Sequence, residues 1–312
     1  NVAFKTPANK IRLFEHGAPG SQNLKLTRKY YTEDMPDGRV KHIVQNITDP
    51  DIVPYIPDGI GNSTDRQRIP AVLIIPGGAF RRLVYNFEGE DVAKWLNSMG
   101  IAAFVLECRL PSDEHDNAED VPLIDAMRAM RVIRGRAQEF GIDEAKIGVM
   151  GFSAGGFMAA LLSTAYESDV YADYKYKDEY DKLSARPDFA VCSYPVISID
   201  DCIEAGKRYM SEEQVLERIS DGKAKILHKY NPDKLVRPDM PPVFICETDD
   251  DRTTLSENSV GFYMAARKAG VSAELHIFRT GGHGYGCGDD FAQTGEWKVL
   301  FTKWIKSIGI IS

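Results

Sequence analysis

The feature that most constrains this 312-residue chain is a rhythm. From about residue 70 onward, short apolar runs recur at Ala71–Pro76, Ile101–Glu107, Ile147–Met150, Phe189–Ser193, Val243–Glu247 and Ala273–Phe278. They lack the clear apolar/polar alternation of a strand with one wet face, as expected when both faces are covered. Helical patterns lie between them. The clearest is Leu123, Met127, Met130, Ile133, Ala137 and Phe140, with steps of three and four. Asp120 is placed to cap that helix, with Pro122 in its first turn. Others cover Glu90–Asn97, Gly155–Ala165, Ser256–Ala269 and Glu296–Ser307. Strand, helix, strand, helix predicts an α/β fold with a mostly parallel central sheet flanked by helices. The first four runs are its candidate central strands.

The N-terminal residues break the rhythm. Pro7, Pro19, Pro36, Pro50, Pro54 and Pro57 punctuate them, and β-type runs cover Leu24 to Thr32 and Val40 to Thr48. Pro36-Asp37-Gly38 between those runs is a turn signal, because Pro sets φ and Gly supplies a positive φ. An antiparallel β extension over residues 1–68 is therefore expected ahead of a core over 69–312, the whole forming one domain. Asp58 to Arg68 reads as a polar connector. Tyr166 to Leu183 and Cys202 to Asp239 read as insertions between strands.

Charge and cysteines narrow the partners. The net charge is -8 with no long Lys/Arg run, which argues against nucleic acid and anionic membranes. The apolar runs are far shorter than the ~20 residues of a membrane helix. Five cysteines contain no Cys-x-x-Cys pair, so no structural zinc site is expected. They read mainly as small core hydrophobes.

The chemistry starts at Gly151-Phe152-Ser153-Ala154-Gly155, between an apolar run and a helical stretch. Gly-x-Ser-x-Gly in that context is a tight turn that projects the serine Oγ beyond the sheet, while the glycines let strand and helix approach. Gly281-Gly282-His283-Gly284 follows the last run. A histidine among loop glycines has little to pack against, but it suits a base that must reach a nucleophile. Asp249-Asp250-Asp251 follows the fifth run, giving the chain order Ser, Asp, His of α/β-hydrolases. The residues themselves leave the choice among the three aspartates open. Pro76-Gly77-Gly78-Ala79-Phe80 ends the first central run. Its backbone N–H groups, at Gly78 and Ala79, and that of Ala154 are candidate donors to an oxyanion. Phe80, Tyr85 and Glu88 follow and are candidate substrate contacts. A Gly-rich phosphate cradle is the rival reading, but no phosphate-binding pattern is present.

Other candidates point elsewhere. His115 lies in an acidic run and reads as a solvated loop residue rather than a metal ligand. His276 reads as a packed strand residue. Tyr171, Tyr174, Tyr176 and Tyr180 have either a sugar-stacking role or a surface one.

Beyond these motifs, the chain resembles the bacterial α/β-hydrolase esterases of the acetyl-xylan-esterase type and their prolyl-oligopeptidase-like relatives. The resemblance rests on Pro76-Gly77-Gly78, Glu88-Gly89-Glu90-Asp91-Val92-Ala93-Lys94-Trp95-Leu96 and Gly151 to Gly156. Glu257-Asn258-Ser259, Arg267 to Val271, Glu274-Leu275-His276 and Gly281 to Gly286 add to it, so it runs from about Val40 to Ile308. It selects Asp251, eight residues before Ser259, as the triad acid. It implies a serine carboxylesterase that needs no cofactor and removes acetyl groups from a xylan-type glycan or smaller ester. A feruloyl-type esterase, a peptidase and a non-catalytic carbohydrate-binding relative are the alternatives. This chain has Ala79 where a third glycine is common, and Asp251-Arg252-Thr253-Thr254-Leu255 where the family usually has Asp-Pro-Val-Val-Pro. A polymer substrate and a first residue that is not Met favour the periplasm or secretion over the cytoplasm.

Overall fold

Each apolar run of the rhythm becomes a strand. Residues 3–5, 8–60, 68–208, 210–215, 223–288 and 292–312 are described in a computed structural model. Strands β1 (Ile11–Arg12), β2 (Lys29–Asp34), β3 (Val40–Gln45) and β4 (Asp51–Tyr55) precede β5 (Ile69–Ile75) and β6 (Leu83–Val84). Then come β7 (Ala102–Glu107), β8 (Ile142–Phe152), β9 (Ala190–Ser193), β10 (Val243–Thr248) and β11 (Ala273–Phe278). The helices are α1 (Asp91–Ser98), α2 (Val121–Gly135), α3 (Ala137–Phe140), α4 (Ala154–Ala165), α5 (Ile199–Lys207), α6 (Lys223–Lys229), α7 (Ser256–Lys268) and α8 (Glu296–Ser307).

Eight strands form one sheet in the order β1-β4-β7-β5-β8-β9-β10-β11. Every neighbouring pair from β7 to β11 is parallel. Strands β7, β9 and β10 are buried along their whole length, and β5 and the second half of β8 nearly so. That burial explains the missing alternation: helices cover both faces. Strand β11 is the edge and is only half-buried. The architecture expected from the sequence, an α/β-hydrolase fold, is the one found.

The N-terminal β structure is divided between two sheets. Strands β2 and β3 form the expected antiparallel hairpin and continue to β6 in a three-stranded sheet. Strands β4 and β1 instead extend the central sheet, β4 running antiparallel to β7. Most of the expected polar connector, residues 61–67, lies outside the described residues. So do 209 and 216–222 of the second insertion.

Three expectations change. Asp120 does not cap α2: its backbone is already helical, and its carboxylate accepts from Tyr230 Oη and from Lys229 Nζ at 2.7 Å. His115 is buried, not solvated, with Nδ1 2.9 Å from Ser21 Oγ. Burial, with Arg109 nearby, pushes its pKa down to about 4. The tyrosines of the first insertion fasten it to the N-terminal segment and to α2 and brace the insertion itself. Tyr174 Oη donates to Gly17 O and packs its ring on Phe14, Tyr171 bonds Asp181, and Tyr180 abuts Gly135. Tyr176 alone of the four is exposed, its ring against His16. His276 packs on Phe244, as expected of a strand residue.

Candidate active site

Loops at the carboxyl ends of β5, β8, β10 and β11 meet above the sheet. Such ends are where open α/β sheets place their ligands. Ser153 ends β8 and opens α4 with φ 54° and ψ -118°, a conformation a non-glycine residue holds only under constraint. The constraint is visible around it. A Cβ on Gly151 would lie 1.9 Å from Gly155 O, and one on Gly155 1.9 Å from Ile75 O. The two glycines are thus needed for the strand–turn–helix to close. The Ser153 N–H is held by Ser193 O at 3.0 Å.

Three side chains then line up. His283 Nε2 stands 2.9 Å from Ser153 Oγ, and His283 Nδ1 2.6 Å from Asp251 Oδ2. Asp251 is buried, and its Oδ1 accepts the N–H groups of Thr253 (2.7 Å) and Thr254 (3.0 Å). Burial alone would raise this carboxyl. The bond to His283 and the two backbone donors outweigh it and hold Asp251 below the usual carboxylate range. The neighbouring aspartates do something else. Asp250 Oδ1 accepts Gly281 N–H and Gly282 N–H, bracing the histidine loop, and Asp249 is exposed.

The Gly77–Ala79 loop lies against the serine. A Cβ on Gly77 would come within 3.0 Å of Ser153 Cβ, and one on Gly78 within 2.0 Å of Arg82 O. Ala79 and Phe80 follow with φ 58° and 60°. The N–H groups of Gly78 and Ala79 donate no hydrogen bond among the described residues. Ala154 opens α4, where N–H groups have no intrahelical partner. The Gly77 contact and the position of Ala154 directly after Ser153 put these free donors beside the serine.

The expected substrate contacts fare differently. Phe80 is nearly buried and borders a cavity of about 20 Å³ with Gly77, Leu110, Pro111, Ala154 and Met158. Tyr85 is a correction: it is 1% exposed, with Oη paired to Tyr55 Oη at 2.9 Å. Glu88 is a second correction. It is buried, with Oε2 accepting Gly77 N–H at 2.8 Å and Oε1 accepting Tyr194 Oη at 2.9 Å. Both side chains lie under the loops and not on a surface a substrate touches. Sequence reasoning missed Tyr194 and Glu247. Tyr194 packs edge-on against His283, ring centroids 5.0 Å apart. Glu247 is buried and hydrogen-bonded to Asp251, and burial followed by the Asp251 charge raises its pKa well above the usual value. Their one signal was position, at the ends of β9 and β10.

Among the described residues, no group of three His, Cys, Asp or Glu side chains could hold a metal ion, and no helix is long and apolar enough to cross a membrane.

Comparison with known proteins adds the following. A sequence model of the BD-FAE family matches residues 60–265. An acetylxylan esterase of Xylanibacter ruminicola is 31% identical over 240 residues, which is 76% of this chain and 45% of that protein. An endo-1,4-beta-xylanase B of Butyrivibrio fibrisolvens is 31% identical over 227 residues, 72% of this chain and 34% of that protein. The chain thus spans less than half the length of these two relatives. The solved acetyl ester-xyloside bifunctional hydrolase of Caldicellulosiruptor lactoaceticus is 35% identical, with TM-score 0.72 and 97% of each chain covered. A carboxylesterase of Lactobacillus plantarum, at 20% identity, TM-score 0.67 and coverage of 92% and 99%, shares the fold.

Proposed function

This chain belongs to the BD-FAE family, and from that premise we propose that it is a serine esterase removing acetyl groups from a xylan-type polysaccharide or oligosaccharide. One observation carries the reading: Asp251, His283 and Ser153 form an unbroken hydrogen-bonded line ending on the Ser153 hydroxyl. His283 Nε2 takes the Ser153 proton as Oγ attacks the ester carbonyl. Asp251 holds the imidazole with its proton on Nδ1 and stabilises the imidazolium. The N–H groups of Gly78, Ala79 and Ala154 meet the developing oxyanion. The C–O bond breaks, His283 gives its proton to the leaving sugar hydroxyl, and an acyl-Ser153 remains. Water, deprotonated by His283, releases acetate and restores the serine.

The family relatives support the substrate class, because one is named for acetylxylan and another for an acetyl ester and a xyloside. The space beside Ala154 supports a small acyl group. A cavity of about 20 Å³ is near the ~10–15 Å³ that one water-sized group needs, and far below an aromatic acid. A feruloyl ester would need that wall to open. A polymer substrate fits action outside the cytoplasm.

A panel of acetylated xylo-oligosaccharide, aryl acetate, methyl hydroxycinnamate and a Pro-containing peptide tests the reading. Acetate release from the first two should dominate. Ser153→Ala should abolish it while the thermal unfolding curve stays close to wild type. Rapid cinnamate release without acetate release, or turnover by the alanine variant, would overturn the reading.

A further inference from the structure

Glu88 is a buried carboxyl for which no Lys, Arg or His lies within ion-pair distance among the described residues. Burying such a group is costly unless its oxygens are satisfied. Here they are satisfied by the two halves of the site. Oε2 accepts Gly77 N–H at 2.8 Å, in the loop carrying the proposed oxyanion donors. Oε1 accepts Tyr194 Oη at 2.9 Å. Tyr194 Oη in turn accepts Gly286 N–H at 2.9 Å, three residues beyond His283. Gly286 O is tied to Trp297 Nε1 at 3.1 Å. Three hydrogen bonds therefore join the oxyanion loop to the histidine loop through buried groups.

The fit at both ends is tight. A Cβ on Gly77 would lie 2.7 Å from Glu88 Oε2, and one on Gly286 2.5 Å from Phe87 O. Tyr194 holds φ 37° to reach its place, an unfavourable backbone for a non-glycine residue. Its ring also faces His283 and Tyr285, at centroid distances of 5.0 and 4.5 Å.

We infer that Glu88 and Tyr194 are positioning residues, a strut that fixes the oxyanion donors and His283 Nε2 at one separation so that both address the same tetrahedral carbon. The inference rests on the serine-esterase reading. It predicts a defect in turnover and not in substrate binding, because a displacement of about 1 Å at reacting groups can cost on the order of a hundredfold in rate.

The test is steady-state hydrolysis of an aryl acetate by wild type, Ser153→Ala, Tyr194→Phe, Glu88→Gln, Glu88→Ala and the Tyr194→Phe/Glu88→Ala double variant. Tyr194→Phe keeps the ring against His283 and removes only the hydroxyl. It should lower kcat about tenfold to a hundredfold with KM within about threefold. Affinity for a trifluoromethyl ketone, which needs oxyanion donors and histidine together, should fall by the same factor. Glu88→Gln should lie between wild type and Glu88→Ala. The double variant should be little worse than Glu88→Ala, since both changes break one chain. A folded Tyr194→Phe with wild-type kcat, a loss confined to KM, or losses that multiply in the double variant would each overturn the strut. Should Tyr194→Phe fail to fold, Glu88→Gln decides: wild-type kcat there overturns the proposal, and a loss in kcat at constant KM supports it. Turnover by Ser153→Ala would instead sink the esterase reading itself, so the two failures are distinguishable.

Discussion

Replacing Asp251 by Asn changes one atom and should nearly silence the enzyme. The reason lies in which oxygen is free to become nitrogen. Asp251 Oδ1 accepts two backbone N–H groups, from Thr253 and Thr254, at 2.7 and 3.0 Å. An asparagine must put its carbonyl oxygen there, because its NH₂ would face two donors. The NH₂ is then forced into the Oδ2 position, 2.6 Å from His283 Nδ1 and 3.0 Å from Thr254 Oγ1, whose hydroxyl can donate to Tyr194 O instead. A nitrogen donor at that place requires Nδ1 to accept, so the ring proton moves to Nε2 and points at Ser153 Oγ. His283 can no longer take the serine proton. Wrong-tautomer triads lose on the order of 10⁴ in kcat, about 5.4 kcal/mol at 1.36 kcal/mol per decade. The assay is kcat for an aryl acetate at neutral pH, with thermal unfolding to confirm the fold. Asp250→Asn is the control. Its carbonyl can still accept Gly281 and Gly282 N–H, so activity within about fivefold of wild type is expected. Loss of less than tenfold in Asp251→Asn, or an equal loss in Asp250→Asn or Asp249→Asn, would refute the assignment.

Two further outcomes follow from the cavity and from the second buried acid. Aryl butyrate should be hydrolysed with kcat/KM at least about tenfold below aryl acetate, because a methylene misfit is worth roughly 1–3 kcal/mol. Met158→Ala should narrow that gap in protein shown to be folded, and equal rates in wild type would exclude the Phe80–Met158 cavity as the acyl site. Glu247 has a raised pKa, so the folded state keeps a proton that the unfolded state has lost above about pH 4.3. Folding stability is therefore fully expressed below that pH and falls by about 1.4 kcal/mol per pH unit above it, until the folded pKa is reached. Glu247→Gln, which keeps the shape and the donor to Asp251, should remove that decline. Denaturant midpoints from pH 4 to 8 should diverge between the two proteins, and parallel curves would contradict a neutral Glu247.

The legible parts of the molecule were those written in local sequence. Ser153 and His283 could be chosen because a strained turn needs its glycines within two residues, and a loop histidine among glycines has nothing to pack on. The parallel strands were legible because burial on both faces removes alternation. Pairings distant in sequence were not. Nothing in residues 51–55 says that β4 joins β7 instead of the hairpin, and Pro54 argues against an interior strand. It is accepted because β1 pairs only with Asp51 and Ile52, leaving Pro54 beyond its reach. His115 was misread as solvated, Glu88 as a substrate contact and Asp120 as a helix cap, and local sequence misled in all three cases. A charged or polar residue in a loop is most often solvated, and only the folded chain shows that each is buried against a partner from another segment. Asp251 stood between these cases. Three adjacent aspartates look alike in sequence, and the distinction comes from which face of the turn meets His283 and which meets the glycines at 281 and 282.

The two acids at the end of β10 show how the fold sets the charge that His283 meets. Asp251 is pulled down by the imidazole and two N–H donors, while burial and the Asp251 charge push Glu247 up. Divergent environments of this kind mark acids with different duties. If both were ionised, two negative charges would lie side by side, the second buried and, among the described residues, without a cation of its own. A proton on Glu247 would leave Asp251 as the single negative charge bonded to His283, matching the single positive charge that forms there during acylation. A neutral Glu247 would also donate to Asp251 and steady the carboxylate without competing for the ring. On this argument the orienting unit is a pair of carboxyls sharing one charge. The pH series on Glu247→Gln measures that proton directly: a wild type whose stability does not decline as pH rises past the unfolded carboxyl value would leave Asp251 to act alone.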